Sequence, residues 1–269
     1  MKKQAILCFF LLAFGALSAQ TINQFGQVRS IKGDIVAFTV DNLDNVYLLN
    51  SSNQLKKLDA NGDSSAIFND VKKYGQATLV DVSNPLKVLL YYRDFATIVV
   101  LDRFFNIRNT IDLRKQEILQ VRAVGQSYDN KIWVYDEMES KLKKIDEEGK
   151  LLLETPDFRQ LFSKAPSPQK IFDQDQLVYV YDSAQAVFVF DYYGALKNKI
   201  LISGWENVKV SGKFIFGSKD NKLYRYDIRT FRVDEWDMPA ALRGSRAFNF
   251  TSSRLYALKE NTIEIYSFQ

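Results

Sequence analysis

Short runs in which apolar and polar residues alternate recur along the whole chain. The run LKKLD, ending at Asp59, is nearly repeated as LKKID, ending at Asp146. Degenerate copies of the same run end at Asp102, Asp191, Asp227 and Ser267. Alternation with a period of two predicts a β-strand, and a spacing of roughly 40 residues is typical of the blades of a β-propeller.

Each copy has the same neighbours along the chain. A second β-rich run, such as KIWVYD at 131–136, precedes it, and a third, such as VRAVGQ at 121–126, precedes that one. Tight turns such as DANGD and DEEGK follow it, with Gly62 and Gly149 supplying the positive φ that such turns require. The pattern predicts an all-β fold: a six-bladed β-propeller of four-stranded antiparallel blades.

The two ends of the chain bear on how the ring closes. The last copy of the repeat ends at Gln269 without a fourth strand, and residues 21–31 form an extended run with no sheet of their own. We expect this N-terminal segment to pair with the last blade, which would protect a sheet edge that otherwise invites aggregation. The alternative is an open solenoid with two uncapped ends.

The first nineteen residues have the character of a secretory leader. Lys2 and Lys3 precede an apolar run that ends in the small residues Ser18 and Ala19. The run is shorter than the ~20 residues needed to cross a membrane, so we predict a signal peptide over 1–19 and a single propeller domain over 20–269. The alternative is a buried N-terminal helix. Export predicts a periplasmic protein, or alternatively an extracellular one, with no membrane insertion of the mature chain.

Composition excludes several kinds of chemistry. The chain has no histidine, and its one cysteine, Cys8, lies within the leader. Imidazole triads, thiol nucleophiles and zinc sites built on His or Cys are therefore impossible in the mature chain. The net charge of +4 includes two leader lysines, so a nucleic-acid partner is not indicated. The acidic runs at 41, 59 and 173 lack the spacing of a calcium loop and are predicted to be turns, so no metal or cofactor is expected.

Six positions at the ends of the predicted second strands should lie on one face of the ring. They are Asn50, Arg93, Asp136, Asp182, Ser218 and Lys259. Asp136 and Asp182, on adjacent blades, could act as paired carboxylates with one raised pKa, or serve as turn residues or partners of Arg93 and Lys259. Propellers that hydrolyse lactones resemble this fold, but their calcium-binding set of Glu, Asn and Asp has no counterpart that we can place here.

Three connections between blades are longer than hairpins and lie on this same face: 112–119, 154–169 and 236–245. In the middle one, Asp157 is a predicted N-cap for a short helix carrying Phe158, Leu161 and Phe162. Its apolar side either covers the channel mouth or binds a partner. On the opposite face, the turns DRFFN and DYYGA carry aromatic residues suited to an interface. Lys56 and Lys57 are expected on a solvated strand face.

These features favour a non-enzymatic protein-interaction propeller, with Arg93, Asp136, Asp182, Lys259, Phe158 and Phe162 as candidate binding residues. The leader ending in LSA before Gln20 resembles those of proteins exported in bacteria with the type 9 secretion system. That resemblance implies a periplasmic accessory subunit of an outer-membrane complex, such as the plug subunit of the translocon, and a protein partner. The alternatives are a carboxylate-dependent hydrolase or lyase and a binder of small ligands such as glycans, both using the central pocket.

Overall fold

A computed structural model describes residues 26–267, and the predicted leader lies outside them. The chain forms six four-stranded antiparallel sheets, as the repeat predicts. Strand β1 is Gly26–Lys32. The first blade contains β2 (Ala37–Val40), β3 (Val46–Leu49), β4 (Leu55–Leu58) and β5 (Ser64–Phe68). The second contains β6 (Leu79–Asn84), β7 (Lys87–Tyr92), β8 (Thr97–Asp102) and β9 (Ile107–Asp112). The third contains β10 (Val121–Gln126), β11 (Ile132–Asp136), β12 (Lys141–Ile145) and β13 (Leu151–Glu154).

The remaining blades continue in the same order. The fourth contains β14 (Lys170–Gln174), β15 (Leu177–Asp182), β16 (Ala186–Asp191) and β17 (Leu196–Ile200). The fifth contains β18 (Glu206–Ser211), β19 (Phe214–Lys219), β20 (Lys222–Asp227) and β21 (Val233–Asp237). The sixth contains β22 (Ala247–Phe250), β23 (Arg254–Lys259) and β24 (Thr262–Ser267). The first strands of neighbouring blades contact one another around the full circle, so they form the innermost ring.

The sixth blade obtains its outer strand from the other end of the chain. Strand β1 pairs antiparallel with β24, with Ile31 opposite Ile263 and Lys32 opposite Thr262. This pairing confirms the predicted closure for the part of the N-terminal segment that the structure describes. A second contact ties the strand to the first blade, because the Arg29 guanidinium donates to the carbonyl of Ala60, 3.1 Å away. Ala60 lies in the turn that follows LKKLD, so this turn helps to seal the ring.

Apolar residues fill the spaces between blades. Strand β7 is buried along its whole length, as expected for a strand with a blade packed against each face. Six apolar clusters each combine residues of two neighbouring blades, one cluster in each interface. The second and third strands therefore carry most of the core, while the outer strands such as β17 remain largely exposed.

Half-buried carboxylates also join neighbouring blades. Asp173 of the fourth blade accepts hydrogen bonds from Ser127 Oγ at 2.7 Å and from Trp133 Nε1 at 3.0 Å, both in the third blade. Asp44 of the first blade accepts one from the Tyr256 hydroxyl of the sixth at 2.9 Å. Because a charge-assisted hydrogen bond is directional, these contacts fix how adjacent sheets are positioned against each other.

Short helical turns lie in the connections. They are α1 (Val71–Tyr74), α2 (Phe158–Leu161) and the 3₁₀ turns Arg93–Phe95, Leu113–Gln116 and Ala240–Leu242. The predicted cap of α2 is confirmed, since Asp157 accepts from the main-chain N–H of Arg159. The connection bearing α1 was not predicted. One further expectation is wrong: Lys57 is only 8% exposed, because its ammonium lies over the Tyr47 ring, 5.5 Å from the centroid, and donates to the carbonyl of Arg103.

In an antiparallel blade, the turns joining strands one to two and three to four lie at the same end. We call this end the lower face. The connections between blades and the turns joining strands two to three lie at the other end, the upper face. The upper face carries the long connections, and the lower face carries the short turns that follow each repeated aspartate.

Candidate functional site

In the first five blades, the repeated aspartate after the third strand organises the turn that follows it. Asp102 accepts hydrogen bonds from the main-chain N–H of Phe104 at 2.8 Å and of Asn106 at 2.9 Å. Asp191 accepts from Tyr193 at 3.0 Å and from Ala195 at 2.9 Å. Asp59 and Asp146 make the same pair of contacts in their own turns. The carboxylate thus satisfies two N–H groups that a tight turn leaves free and holds the turn rigid.

The electrostatics of these turns follow from that geometry. The N–H groups of Ala195 and Tyr193, with help from Lys197, hold the pKa of Asp191 below its usual range. A carboxylate that accepts main-chain hydrogen bonds is stabilised in its charged form. The turn is therefore fully capped at neutral pH.

Two turns between first and second strands use the same device. The N–H of Leu43 donates to Asp41 at 2.9 Å, and the N–H of Leu86 donates to Asn84 at 3.0 Å. In each case the capped residue lies two positions after the Asp or Asn and points away from the blade. This hydrogen bond from the main chain to an Asp or Asn side chain places one side chain at the tip of each turn.

The tips of the lower face carry large apolar side chains. Six of them are between 59% and 87% exposed. They are Leu43, Leu86, Phe104, Tyr128, Tyr193 and Phe231, which we call the lower-face tips. In Leu43, Leu86, Phe104 and Tyr193 the main-chain N–H is the group held by the preceding Asp or Asn. The same turn carries a polar tip in other blades, at Asn61 and Glu148, so the geometry does not itself require an apolar residue.

The upper face differs in the kind of apolar residue that it exposes. Its exposed large side chains include Leu119, Met138, Leu161 and Leu201, while its aromatic Phe95 is 42% exposed. Four of the lower-face tips are aromatic, and each is at least 60% exposed. Tyr and Phe are the residues that protein interfaces favour, since they bury a large area at a small entropic cost.

The predicted ring of six residues lies on the upper face, where the structure does not bring its two acids together. Asp136 is 1% exposed, accepts from the N–H of Met138, and forms an ion pair of 2.8 Å with Lys143. Asp182 is 1% exposed and accepts from the N–H groups of Ser167 and Ala184. Asp136 is thus engaged by its own turn and by the next strand, and Asp182 by its own turn and by the long connection that precedes its blade.

The other ring positions are also engaged separately or exposed. Lys259 forms an ion pair with Glu264 at 2.7 Å, within its own blade. Arg93 is exposed at the start of a 3₁₀ turn, Asn50 accepts from the N–H of Gln54, and Ser218 is buried. A binding role for Arg93, Asp136, Asp182 and Lys259 stays a prediction.

The two phenylalanines of the long loop pack inward. Phe158 is fully buried and stacks on Phe190 with ring centroids 5.0 Å apart, while Phe162 is half-buried against Phe188. The Tyr135 hydroxyl donates to the carbonyl of Pro166 at 2.7 Å, which fastens the end of the same loop. These contacts hold the loop against the third and fourth blades, and binding by Phe158 and Phe162 also stays a prediction.

Two cavities lie between blades near the upper face. One, of about 140 Å³, is lined by residues of the first two blades such as Phe38 and Leu79. The other, of about 110 Å³, lies between the fifth and sixth blades beside Asn207 and Ser245. Both are smaller than the ~300 Å³ at which ligand pockets usually begin. Among residues 26–267, no three or more acidic or metal-ligating side chains cluster in a way that could hold a metal ion.

Sequence reasoning singled out the turns DRFFN and DYYGA but did not identify the hydrogen bond that they share, in which an Asp or Asn accepts from the N–H two residues later. The signal was present, because an Asp or Asn followed two residues later by an apolar residue occurs at 41, 84, 102 and 191. Of the two aromatic residues at DRFFN, Phe104 is 60% exposed and Phe105 is 5% exposed. Only the fold separates the residue at the tip from the one in the interface.

Comparison with known proteins supports the fold and no closer relationship. No protein-family model and no curated protein matches the chain. Virginiamycin B lyase from Staphylococcus aureus, solved with quinupristin, is similar in structure, with a TM-score of 0.61 at 15% identity over 91% of this chain and 89% of that one. BamB from Moraxella catarrhalis gives a TM-score of 0.51 at 13% identity, over 91% of this chain and 100% of that one.

A third similar structure is PorZ, a surface component of the type IX secretion system of Porphyromonas gingivalis. It gives a TM-score of 0.56 at 13% identity, over 87% of this chain and 31% of the PorZ chain. The chain is therefore a six-bladed β-propeller whose structural neighbours include BamB, a surface component of a secretion system and a lyase. In the part of the chain that the structure describes, no helix has the length and apolar character to span a membrane.

Proposed function

We propose that this protein is a non-enzymatic, exported propeller that binds another protein through its lower-face tips. The observation that carries the proposal is the set of six exposed apolar side chains held at rigid turns of one face. Large apolar side chains that share one face and remain mostly exposed commonly mark an interaction site. Because hydrogen bonds already fix the turns, binding would cost little additional conformational entropy.

The similarity to PorZ and BamB supports a finer version of the proposal. In that version the protein is a periplasmic accessory subunit of an outer-membrane complex, in keeping with the predicted leader and its resemblance to type 9 exported proteins. An extracellular location is the alternative, and the description of PorZ as a surface component favours it. The partner in this version is a protein of the cell envelope, and its surface would be apolar where it meets the tips.

A lyase function is less well supported than binding. The same lyase structure contains a histidine-to-alanine variant that is described as catalytically inactive. The present chain has no histidine at any position. The acids that could replace it, Asp136 and Asp182, each accept main-chain hydrogen bonds that hold loops of the upper face in place, as described above.

Site-specific photocrosslinking in the native cells tests the proposal and distinguishes the two faces. A photoreactive phenylalanine analogue at Phe104 or Tyr193 should give a discrete crosslinked protein partner. The same analogue at Leu161 or Leu201 of the upper face provides the matched control and should give none. Crosslinks confined to the upper-face positions would contradict the assigned face, and an absence of protein crosslinks from both faces would contradict protein binding.

A further inference from the structure

Two lysines on the innermost ring have no acidic partner in the described part of the chain. Lys170 is the first residue of β14, and its ammonium donates to the carbonyl of Val208 in the next blade at 3.1 Å. Lys209 lies in β18 and donates to the carbonyl of Phe250 and, at 3.4 Å, to Asn249 Oδ1 in the blade after that. Both cations are thus held by neutral oxygen atoms of the neighbouring first strand. None of the ion pairs among residues 26–267 includes either lysine.

The acids closest to this part of the ring are engaged elsewhere. Asp44 accepts from the hydroxyl groups of Thr251, Ser253 and Tyr256, and Asp41 accepts from Tyr47 and Asn45. Asp173, on the same strand as Lys170, is used by the third blade. On the remaining first strands, Asp81 accepts from Gln126, Glu206 is exposed without an ion pair, and Arg122 adds another cation.

Placing cations beside each other in a poorly solvated region is unfavourable unless a counter-charge is supplied. Burial, and then the charge of Lys170, lower the pKa of Lys209 to about 8, and the charges of Asp41 and Asp44 offset this lowering only in part. Burial also lowers the pKa of Lys170, although its side chain remains open to solvent. The first strands surround the axis of the ring, and we call the space along this axis the axial channel. A side chain on its wall has protein on several sides and still reaches water. An anion that entered the channel would relieve the cost of holding both charges there.

We propose that Lys170 and Lys209 form an anion-binding site on the channel wall, suited to a small oxyanion group such as a phosphate or a carboxylate. The two ammonium groups would each donate to the anion, and the amide of Asn249, on the adjacent strand, could supply a further donor. This site is independent of the lower-face tips and of the proposed protein partner. It could hold either a free small anion or an acidic group of a larger molecule that reaches into the channel.

Thermal unfolding at constant ionic strength tests the site. Sodium phosphate and sodium succinate are the probes, sodium chloride is the reference, and the proteins are wild type, Lys170→Met, Lys209→Met and the exposed control Lys164→Met. At 10 mM, at least one probe should raise the melting temperature of wild type and of Lys164→Met by 2 °C or more above the chloride reference. Lys170→Met and Lys209→Met should each lose most of that increase.

A second readout separates a lost site from a lost fold. Removing a poorly solvated cation should leave the melting temperature of Lys209→Met in chloride equal to or above that of wild type. Which probe acts indicates whether phosphate or carboxylate is preferred. An equal increase in wild type and in both ring variants would show an adventitious ion only and overturn the proposal. So would the absence of an increase with either probe in wild type.

Discussion

Locking the seam between β1 and β24 with a disulfide should stabilise the whole ring. Lys32 and Thr262 lie directly opposite each other in this pairing. The N–H of Gly33 donates to the carbonyl of Asn261, so the next pair along, Lys32 and Thr262, is a non-hydrogen-bonded pair. The Cα atoms of such a pair are ~4.5 Å apart, within the range that a disulfide spans. We predict that Lys32→Cys combined with Thr262→Cys will form an intramolecular disulfide.

The magnitude follows from the size of the loop that the bond closes. The two positions enclose about 230 residues, for which the chain-entropy relation gives an upper limit of about 5 kcal/mol in the free energy of unfolding. Engineered disulfides commonly deliver less, so we expect about 2–5 kcal/mol. For a chain of this length that corresponds to a rise in melting temperature of roughly 5–15 °C.

The assay compares oxidised and reduced protein in a chain that begins at Gln20, which lacks Cys8 and therefore has no other thiol. Mass spectrometry confirms the bond, and calorimetry measures the melting temperature with and without reductant. The single variants Lys32→Cys and Thr262→Cys are the controls, since neither can form the bond within one chain. Failure of the double variant to oxidise within one chain, or equal melting of its two forms, would refute the described register.

Other predictions concern the interfaces and the channel. Asp173→Ala should lower the free energy of unfolding by about 3 kcal/mol or more in urea titration, because it leaves the donors of Ser127, Trp133 and Tyr192 unpaired. A stability equal to that of wild type would count against the role of Asp173 in joining the two blades. Gly125→Ala should lower the free energy of unfolding by about 1–3 kcal/mol in the same titration, because the added Cβ would lie 2.7 Å from the carbonyl oxygen of Ile171. Gly33→Ala is the control and should be nearly neutral, because its Cβ would meet no atom within 4 Å. Because the pKa of Lys209 is lowered, this side chain loses its proton at a lower pH in the folded state than in the unfolded state. The charged ammonium therefore destabilises the folded state fully below pH 8, and this destabilisation disappears by about pH 10.5. Lys209→Met should therefore be more stable than wild type at pH 7, by about 1–3 kcal/mol before solvent screening is considered. This difference in the free energy of unfolding should shrink by pH 9.5. A difference that stays constant with pH would argue against a lowered pKa of Lys209.

The architecture could be predicted because the information lies in local periodicity. Alternation within runs such as LKKLD defines strands, and its recurrence with an Asp at a constant place defines the blade. Each blade repeats one packing problem, so six weak signals reinforce one another. The closure by β1 could also be predicted, since a missing fourth strand at one end of the chain and an unassigned strand at the other have one economical solution.

The roles of individual side chains could not be predicted in this way. Alternation correctly assigns Lys57 to a strand, but whether that face is solvated depends on the neighbouring blade, which buries it. Similarly, Phe104 and Phe105 are adjacent and chemically identical, and only the turn geometry exposes the first and buries the second.

The candidate sites depend on contacts between distant parts of the chain. Asp136 and Asp182 occupy equivalent places in adjacent blades, yet Asp136 pairs with Lys143 and Asp182 accepts from Ser167, which no spacing in the sequence indicates. Lys170 and Lys209 are unremarkable as single lysines within strands until ring closure places them on adjacent inner strands. The sequence by itself determined the strands, the blade and their number, because hydrophobic periodicity is local. Only the tertiary structure decided which side chains are exposed, paired or left without a counter-charge, because burial and electrostatics are set by neighbours about 40 residues away in the chain.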